Sequence, residues 1–314
     1  MIFPDTLAVW VRFRLGIARA NVRATALAGK HEDAPVTTAL SIVRGSFGRV
    51  ALLDMDTSLV NHAHHHCHLL MKASGPDQDF TIEGQAFPVR DDTAVAVNTW
   101  QEHEYIHRPS PERTLFLALY IEPAWLAQAD PSFSTCSQPG FFAKSCLPLS
   151  PDMKRMRSKL TQRVATDITG SLQEIEETIL DLSLAVAHGF SEWREWPKGR
   201  EDRMPKDFRI RRAVRMMHDR TGERIDLDRL ASAAGLSRAH FNYLFRRCIG
   251  VSPAVYANAT RIEAAVDALR SPQAAIGTIS GELGFSAQSN FTRFFQQHTG
   301  TPPHQFRRVM ANLG

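Results

Sequence analysis

Residues 61 to 68 read Asn-His-Ala-His-His-His-Cys-His. Side chains alternate along an extended strand, so His62, His64, His66 and His68 would share one side and several imidazoles would face one space. Imidazole nitrogen suits zinc, copper, iron or nickel, and the absence of a carboxylate disfavours a hard ion such as magnesium or calcium. The same rings can instead line a polar pocket through hydrogen bonds alone. His65 and Cys67 fall on the other side by parity, as packing or surface residues. No neighbouring group marks a general base or nucleophile, so the cluster is read as a binding site and catalysis is not expected of it.

A second set of residues suits recognition of double-stranded DNA. Arg238, His240, Asn242, Tyr243 and Arg246 occupy one side of a helical stretch whose other side carries Phe241 and Phe245. Gln288, Ser289, Asn290, Thr292 and Arg293 do the same around Phe291 and Phe295. Phenylalanines one turn apart bury together and leave the opposite side polar. Asn and Gln pair bidentately with adenine and Arg with guanine, while Ser, Thr and basic side chains hold phosphates, so both polar sides fit a major groove.

These two stretches belong to a repeat. Leu230-Ala231, Gly235-Leu236-Ser237, Phe241, Phe245, Gly250, Pro253 and Tyr256 recur as Ile279-Ser280, Gly284-Phe285-Ser286, Phe291, Phe295, Gly300, Pro303 and Phe306. The second copy carries one extra residue between its first glycine and first phenylalanine. In each copy a short helix ends at a glycine able to adopt positive φ, and an apolar residue plugs the corner. Ser237 or Ser286 then caps the next helix, which makes a helix-turn-helix. Between the copies a helix opening at Pro253, with Val255, Ile262, Val266 and Leu269 on one side, can act as a rigid spacer. About 17 residues at 1.5 Å each span about 25 Å, a length that with its flanking units can set two reading helices one turn of B-DNA apart.

Charge agrees with this placement. The 314 residues carry a net charge of +4, and from 205 onward there are 16 Lys/Arg against 8 Asp/Glu. The basic end suits a polyanion and the remainder is mildly acidic. Four cysteines without a CxxC pair exclude a disulfide framework and point to a reducing, cytoplasmic setting. No apolar run approaches the roughly 20 residues that cross a bilayer, so no membrane role is expected.

The segment from about Phe208 to Arg308 resembles the DNA-binding region of the AraC/XylS family of bacterial transcription regulators. The matching positions run from Leu230-Ala231 through Ser237, Phe241, Phe245, Gly250, Ser252-Pro253, Tyr256, Arg261, Ala265, Leu269, Ile276, Ile279, Gly284-Phe285, Phe291, Phe295, Gly300 and Pro303 to Arg307. The resemblance implies sequence-specific promoter binding, usually for activation through contact with RNA polymerase. It supports Gln288, Ser289, Asn290 and Arg293 as readers in the second head and Ala239, Asn242 and Tyr243 in the first. Gly277, Gly281 and Ser280, the last where the family usually has Ala, weaken the helix before the second turn by about 1 kcal/mol per glycine. The second head is therefore expected to be the softer one.

Upstream, short β-prone runs at Val50 to Leu53, Ser58 to Met71, Phe80 to Ile82, Ala94 to Asn98 and Thr114 to Ile121 predict a sandwich or small barrel. The spacing His62-x-His64, then His68, then Gly75 resembles the first motif of the cupin superfamily, with His68 in place of glutamate. Asp92, Asn98, Trp100, His103 and His107 fall at the separations of the second motif, where only His103 keeps the usual residue type. This resemblance implies a cupin-like β-barrel and a site of His62, His64, His68 and His103 for an effector or a transition metal.

Four segments follow, and the fold class is α+β. Residues 1–35 form an N-terminal extension, 36–150 a cupin-like effector-binding domain, 151–204 a helical dimerisation region and linker, and 205–314 the domain with two helix-turn-helix units. A stripe of Leu172, Ile175, Ile179, Leu182 and Val186, after a capping box of Ser171 with Glu174, either packs on its own domain or pairs the subunits of a homodimer. The leading expectation is a regulator responsive to a small-molecule effector, not an enzyme, with no required cofactor. The alternative is a metal-dependent cupin enzyme with an appended helical module.

Overall fold

The alternation of large apolar residues along three long strands sets the architecture. A computed structural model describes residues 38–311 apart from 109, 111, 139, 167–171, 190–206, 220–221 and 223–225. The extension 1–35, the Ser171 cap and the linker at the end of 151–204 lie outside the described residues.

Strands β1 (Thr38–Gly45), β2 (Gly48–Met55), β3 (Leu59–His62), β4 (Cys67–Ser74), β5 (Gln78–Ile82), β6 (Gln85–Val89), β7 (Thr93–Val97), β8 (His103–Tyr105), β9 (Thr114–Ile121), β10 (Cys146–Pro148) and β11 (Met310–Ala311) form two sheets. The larger runs β10-β7-β4-β9-β2-β1-β11 and the smaller β3-β8-β5-β6. No ladder joins the two among the described residues, so the expected barrel is an open, two-sheet one.

In β2, β4 and β9 the residues Val50, Leu52, Leu69, Met71, Leu117 and Leu119 face one way, and Ala51, Leu53, Leu70, Phe116 and Ala118 the other. A sheet apolar on both faces needs cover on both. One face is covered by helices α1 (Pro123–Ala129), α2 (Pro151–Ala165) and α3 (Leu172–Gly189). This decides between the two readings of the helical stripe. Ile175, Ile179, Leu182 and Val186 are buried in the same core as Val50 and Leu69, with Leu172 half-buried beside them. They are not available to a second subunit, and 151–189 is part of the sheet domain.

The other face turns toward the C-terminal helices α4 (Phe208–Asp219), α5 (Leu227–Ala233), α6 (Arg238–Ile249), α7 (Pro253–Ala268), α8 (Ile276–Glu282), α9 (Gln288–Thr299) and α10 (Pro303–Val309). Phe291, Phe295 and Phe306 share one apolar core with Ile42, Leu53 and Phe116. Met310 pairs in parallel with Ile42, which adds β11 to the edge of the larger sheet. Around Phe241, Phe245 and Tyr256 a separate core forms, and among the described residues Ala63 is the one buried apolar contribution to it from the sheet domain.

Candidate nucleic-acid interface and histidine junction

Both turns form as the repeat predicts. Gly235 has φ +66° and Gly284 φ +76°, values that favour glycine. Leu236 and Phe285 plug the corners against the cores of their own heads. In the first head Asp226 accepts from the amides of Asp228 and Arg229 to cap α5, and Ser237 accepts from His240 to cap α6. The second head departs from this. Its extra residue places α9 at Gln288, so Ala287 stands at the cap and no side chain caps the helix. Ser286, expected to cap, instead accepts from Asn290 Nδ2 at 3.4 Å. α8 likewise has Ala275 at its cap and no side-chain capping bond.

The polar sides lie open. Ser237, Arg238, Ala239, His240, Tyr243 and Arg246 are exposed on the first head, with Asn242 half-buried. On the second head Ser286, Gln288, Ser289, Asn290 and Arg293 are exposed and Thr292 is half-buried. Arg293 donates to Asn290 Oδ1 at 3.3 Å, so two candidate readers hold each other in place. Arg238 is held by Asp228 at 3.1 Å, an exposed pair that a phosphate can compete for.

Comparison with known proteins agrees with this geometry. Residues 230–309 match the family model described as "Helix-turn-helix domain". The Proteus vulgaris protein named "Probable transcription factor PqrA" is 33% identical over 85 residues, 27% of this chain and 70% of that protein. The chain belongs to the AraC/XylS family of transcription regulators. Similarity reaches beyond the heads: the HTH-type transcriptional regulator YdeC of Bacillus subtilis is 22% identical over 245 residues, 73% of this chain and 80% of that protein. Apo ToxT K231A from Vibrio cholerae has a similar fold, with a TM-score of 0.56 at 13% identity over 85% of this chain and 98% of that one. Other curated family members, HTH-type regulators from Haemophilus influenzae and Bacillus subtilis, are spanned over 28% and 41% of their length.

The histidines converge as expected, though not on one strand. The single run from Ser58 to Met71 is broken: β3 ends at His62, β4 starts at Cys67, and residues 63–66 turn between them. His62, His64, His68 and His103 still meet, with ring centres 4.3 Å apart for His62 and His103, 4.9 Å for His64 and His103, and 5.1 Å for His64 and His68. His66 turns toward Glu122 and Glu263, with ring nitrogens 3.9 Å from each. His65 Nε2 lies 3.1 Å from Glu122 Oε2, and Cys67 packs in the opposite core, as parity predicts. Burial pushes His62, His64 and His68 well below the usual histidine range and His103 down to about 4, so all four are neutral at pH 7.

The other second-motif positions serve the fold. Asn98 exchanges hydrogen bonds with the backbone of Phe142, and His107 sits on Tyr105. Trp100, at φ +57°, stacks on Tyr256 of the first head with ring centres 4.6 Å apart.

Sequence reasoning missed the contacts that dock the heads. Arg49 on β2 donates to both carboxylate oxygens of Glu263 on α7, at 3.1 and 3.0 Å, and lies over the Tyr120 ring. Arg44 pairs with Asp267 at 2.9 Å, and Thr301 Oγ1 accepts from the Ala39 amide at 2.9 Å. A narrow cleft of about 30 Å³ remains between the domains, lined by Arg49, His62, His64 and Tyr120 from the sheets and Glu263 and His298 from the helices. That is room for little more than a water.

Proposed function

We propose that this AraC-type chain regulates transcription by inserting α6 and α9 into successive major grooves of promoter DNA, under control of a small-molecule effector. The observation that carries the reading is the pair of turn-linked helices with exposed Asn, Gln and Arg. The effector acts through the docked junction: a ligand shifts a balance of arrangements only by favouring one of them, and the cleft is too small to admit an organic molecule unless the domains part. ToxT has been solved with an unsaturated fatty acid bound, which supports an organic effector for this fold. Membership of the family supports a cytoplasmic location and contact with RNA polymerase as parts of this reading. A homodimer would use a surface other than the buried stripe of α3.

Fluorescence anisotropy with duplexes from the region upstream of the gene tests the reading. Specific binding that weakens steeply with added salt is expected, because phosphate contacts release counterions. Arg293→Ala is expected to cost about 1–3 kcal/mol on the preferred duplex and much less on random DNA. Equal losses on both would mean that α9 touches only backbone.

A further inference from the structure

A separate group of donors lies at the turn between β3 and β4, and neither the DNA-binding reading nor the cupin resemblance uses it. In a strand, neighbours such as His65 and His66 would point to opposite sides. The turn cancels that alternation, and their ring centres sit 3.9 Å apart. Both rings then face Glu122, which follows β9 and precedes α1. His65 Nε2 is 3.1 Å and His66 Nε2 is 3.9 Å from the same carboxylate oxygen, Glu122 Oε2. One donor atom from each of the three residues lies within 4.8 Å of the others. Donors around a tetrahedral ion with bonds of about 2.0–2.1 Å stand about 3.3 Å apart, so small side-chain rotations close the set.

The far nitrogen of His66 is an independent sign of a ligand. His66 is 5% exposed, and its Nδ1 has no hydrogen-bond partner among the described residues. That nitrogen stands 3.9 Å from Glu263 Oε1 on α7. An ion on Nε2 would fix the ring hydrogen on Nδ1 and aim it at Glu263, the carboxylate–histidine–metal arrangement that orients ligating imidazoles. Arg49, a positive charge beside His66, is neutralised by both carboxylate oxygens of Glu263. Next to the three donors is a cavity of about 330 Å³ lined by His65, Glu122, Thr99, Trp100, Ser134 and Ser137. It has room for water and hydroxyls to hold one, so a fourth ligand position has somewhere to open. The His65 and Glu122 side chains are 39% and 34% exposed, which gives an ion a way in.

We propose that His65, His66 and Glu122 bind one divalent transition-metal ion of the zinc class, with water from the cavity as the fourth ligand. Two imidazoles and one carboxylate select zinc and its transition-metal neighbours over magnesium or calcium. Glu263 positions His66 from behind. The ion ties the β3–β4 turn to the start of α1 and, through Glu263, to the helix that joins the two heads. None of the three donors stands at a position of the cupin motifs. The proposal goes beyond the regulatory reading and does not depend on it, because its test contains no DNA.

The full-length chain, stripped with a chelator and dialysed, is titrated with Co(II) in a non-coordinating buffer beside three variants. The unaltered chain is expected to bind about one equivalent more than His65→Gln or Glu122→Gln, each of which should weaken that site about 100-fold or more. His103→Gln should leave this equivalent in place. Both altered ligands are partly exposed, so the metal-free Tm of their variants should stay near that of the unaltered chain. Should a variant nevertheless fail to fold, X-ray absorption on the unaltered chain loaded with one equivalent of Zn(II) decides, and two imidazoles with oxygen ligands are expected. Absence of stoichiometric binding, binding unchanged in both His65→Gln and Glu122→Gln, loss in His103→Gln alone, or a shell of three or more imidazoles would each overturn the assignment.

Discussion

Three adjacent features of α8 show how single residues tune the second head. Ser280 is 2% exposed with a buried hydroxyl oxygen that finds no partner among the described residues. Gly281 is exposed, and a Cβ built on it meets nothing within 4 Å. Gly277 differs, because its Cβ would stand 3.1 Å from Gln288 Oε1 on the reading side of α9. Gly281→Ala is therefore expected to stabilise the second head by about 1 kcal/mol without changing which duplex the protein prefers. Gly277→Ala should gain less and should shift sequence preference, since Gln288 must move. Amide exchange in α8 and anisotropy on two competing duplexes separate these outcomes. If Gly281→Ala leaves exchange unchanged, helix propensity does not limit α8.

At the scale of elements, the two heads share a pattern but not their caps. The first has Asp226 and Ser237 at its helix starts, whereas the second has Ala275 and Ala287. Ala287 already has the extended backbone of a capping residue, φ −149° and ψ 144°, so Ala287→Ser is expected to contribute about 1 kcal/mol. Reduced exchange at the first amides of α9 is the check, and no change there would mean that the extra residue holds the turn in another geometry. The sequence made the repeat and its glycines legible because turns and caps are local. It misplaced the Ser286 cap because the inserted residue moves the helix start, and spacing alone does not say on which side of Ser286 it falls. Parity placed His62, His64 and His68 together, yet His66 turns toward Glu122 and Glu263, which lie far off in the chain. The stripe on α3 announced a buried face without saying what buries it.

Across the whole molecule, the expectation of a softer second head meets an opposing effect. Missing caps and glycines weaken α8 and α9, but Phe291, Phe295 and Phe306 continue the apolar core of the sheets, whereas the first head touches them mainly through Ala63 and Trp100. In the docked chain the second head thus borrows its protection from the sheets. The Arg49–Glu263 pair is the polar centre of that contact, with side chains 8% and 18% exposed. Glu263→Gln leaves Arg49 buried without a counter-charge, at a cost of about 2–4 kcal/mol, somewhat below that of breaking a fully buried pair. A docked state favoured by only a few kcal/mol would then open. Amide exchange on the full chain should rise in α8, α9 and β1, where β11 pairs, and stay unchanged in α5 and α6. Uniform loosening of both heads would mean that Glu263 supports the long helix α7 itself. Unchanged exchange everywhere would place the strength of the junction in its apolar core, and an effector acting there would have to part phenylalanines rather than compete for a guanidinium.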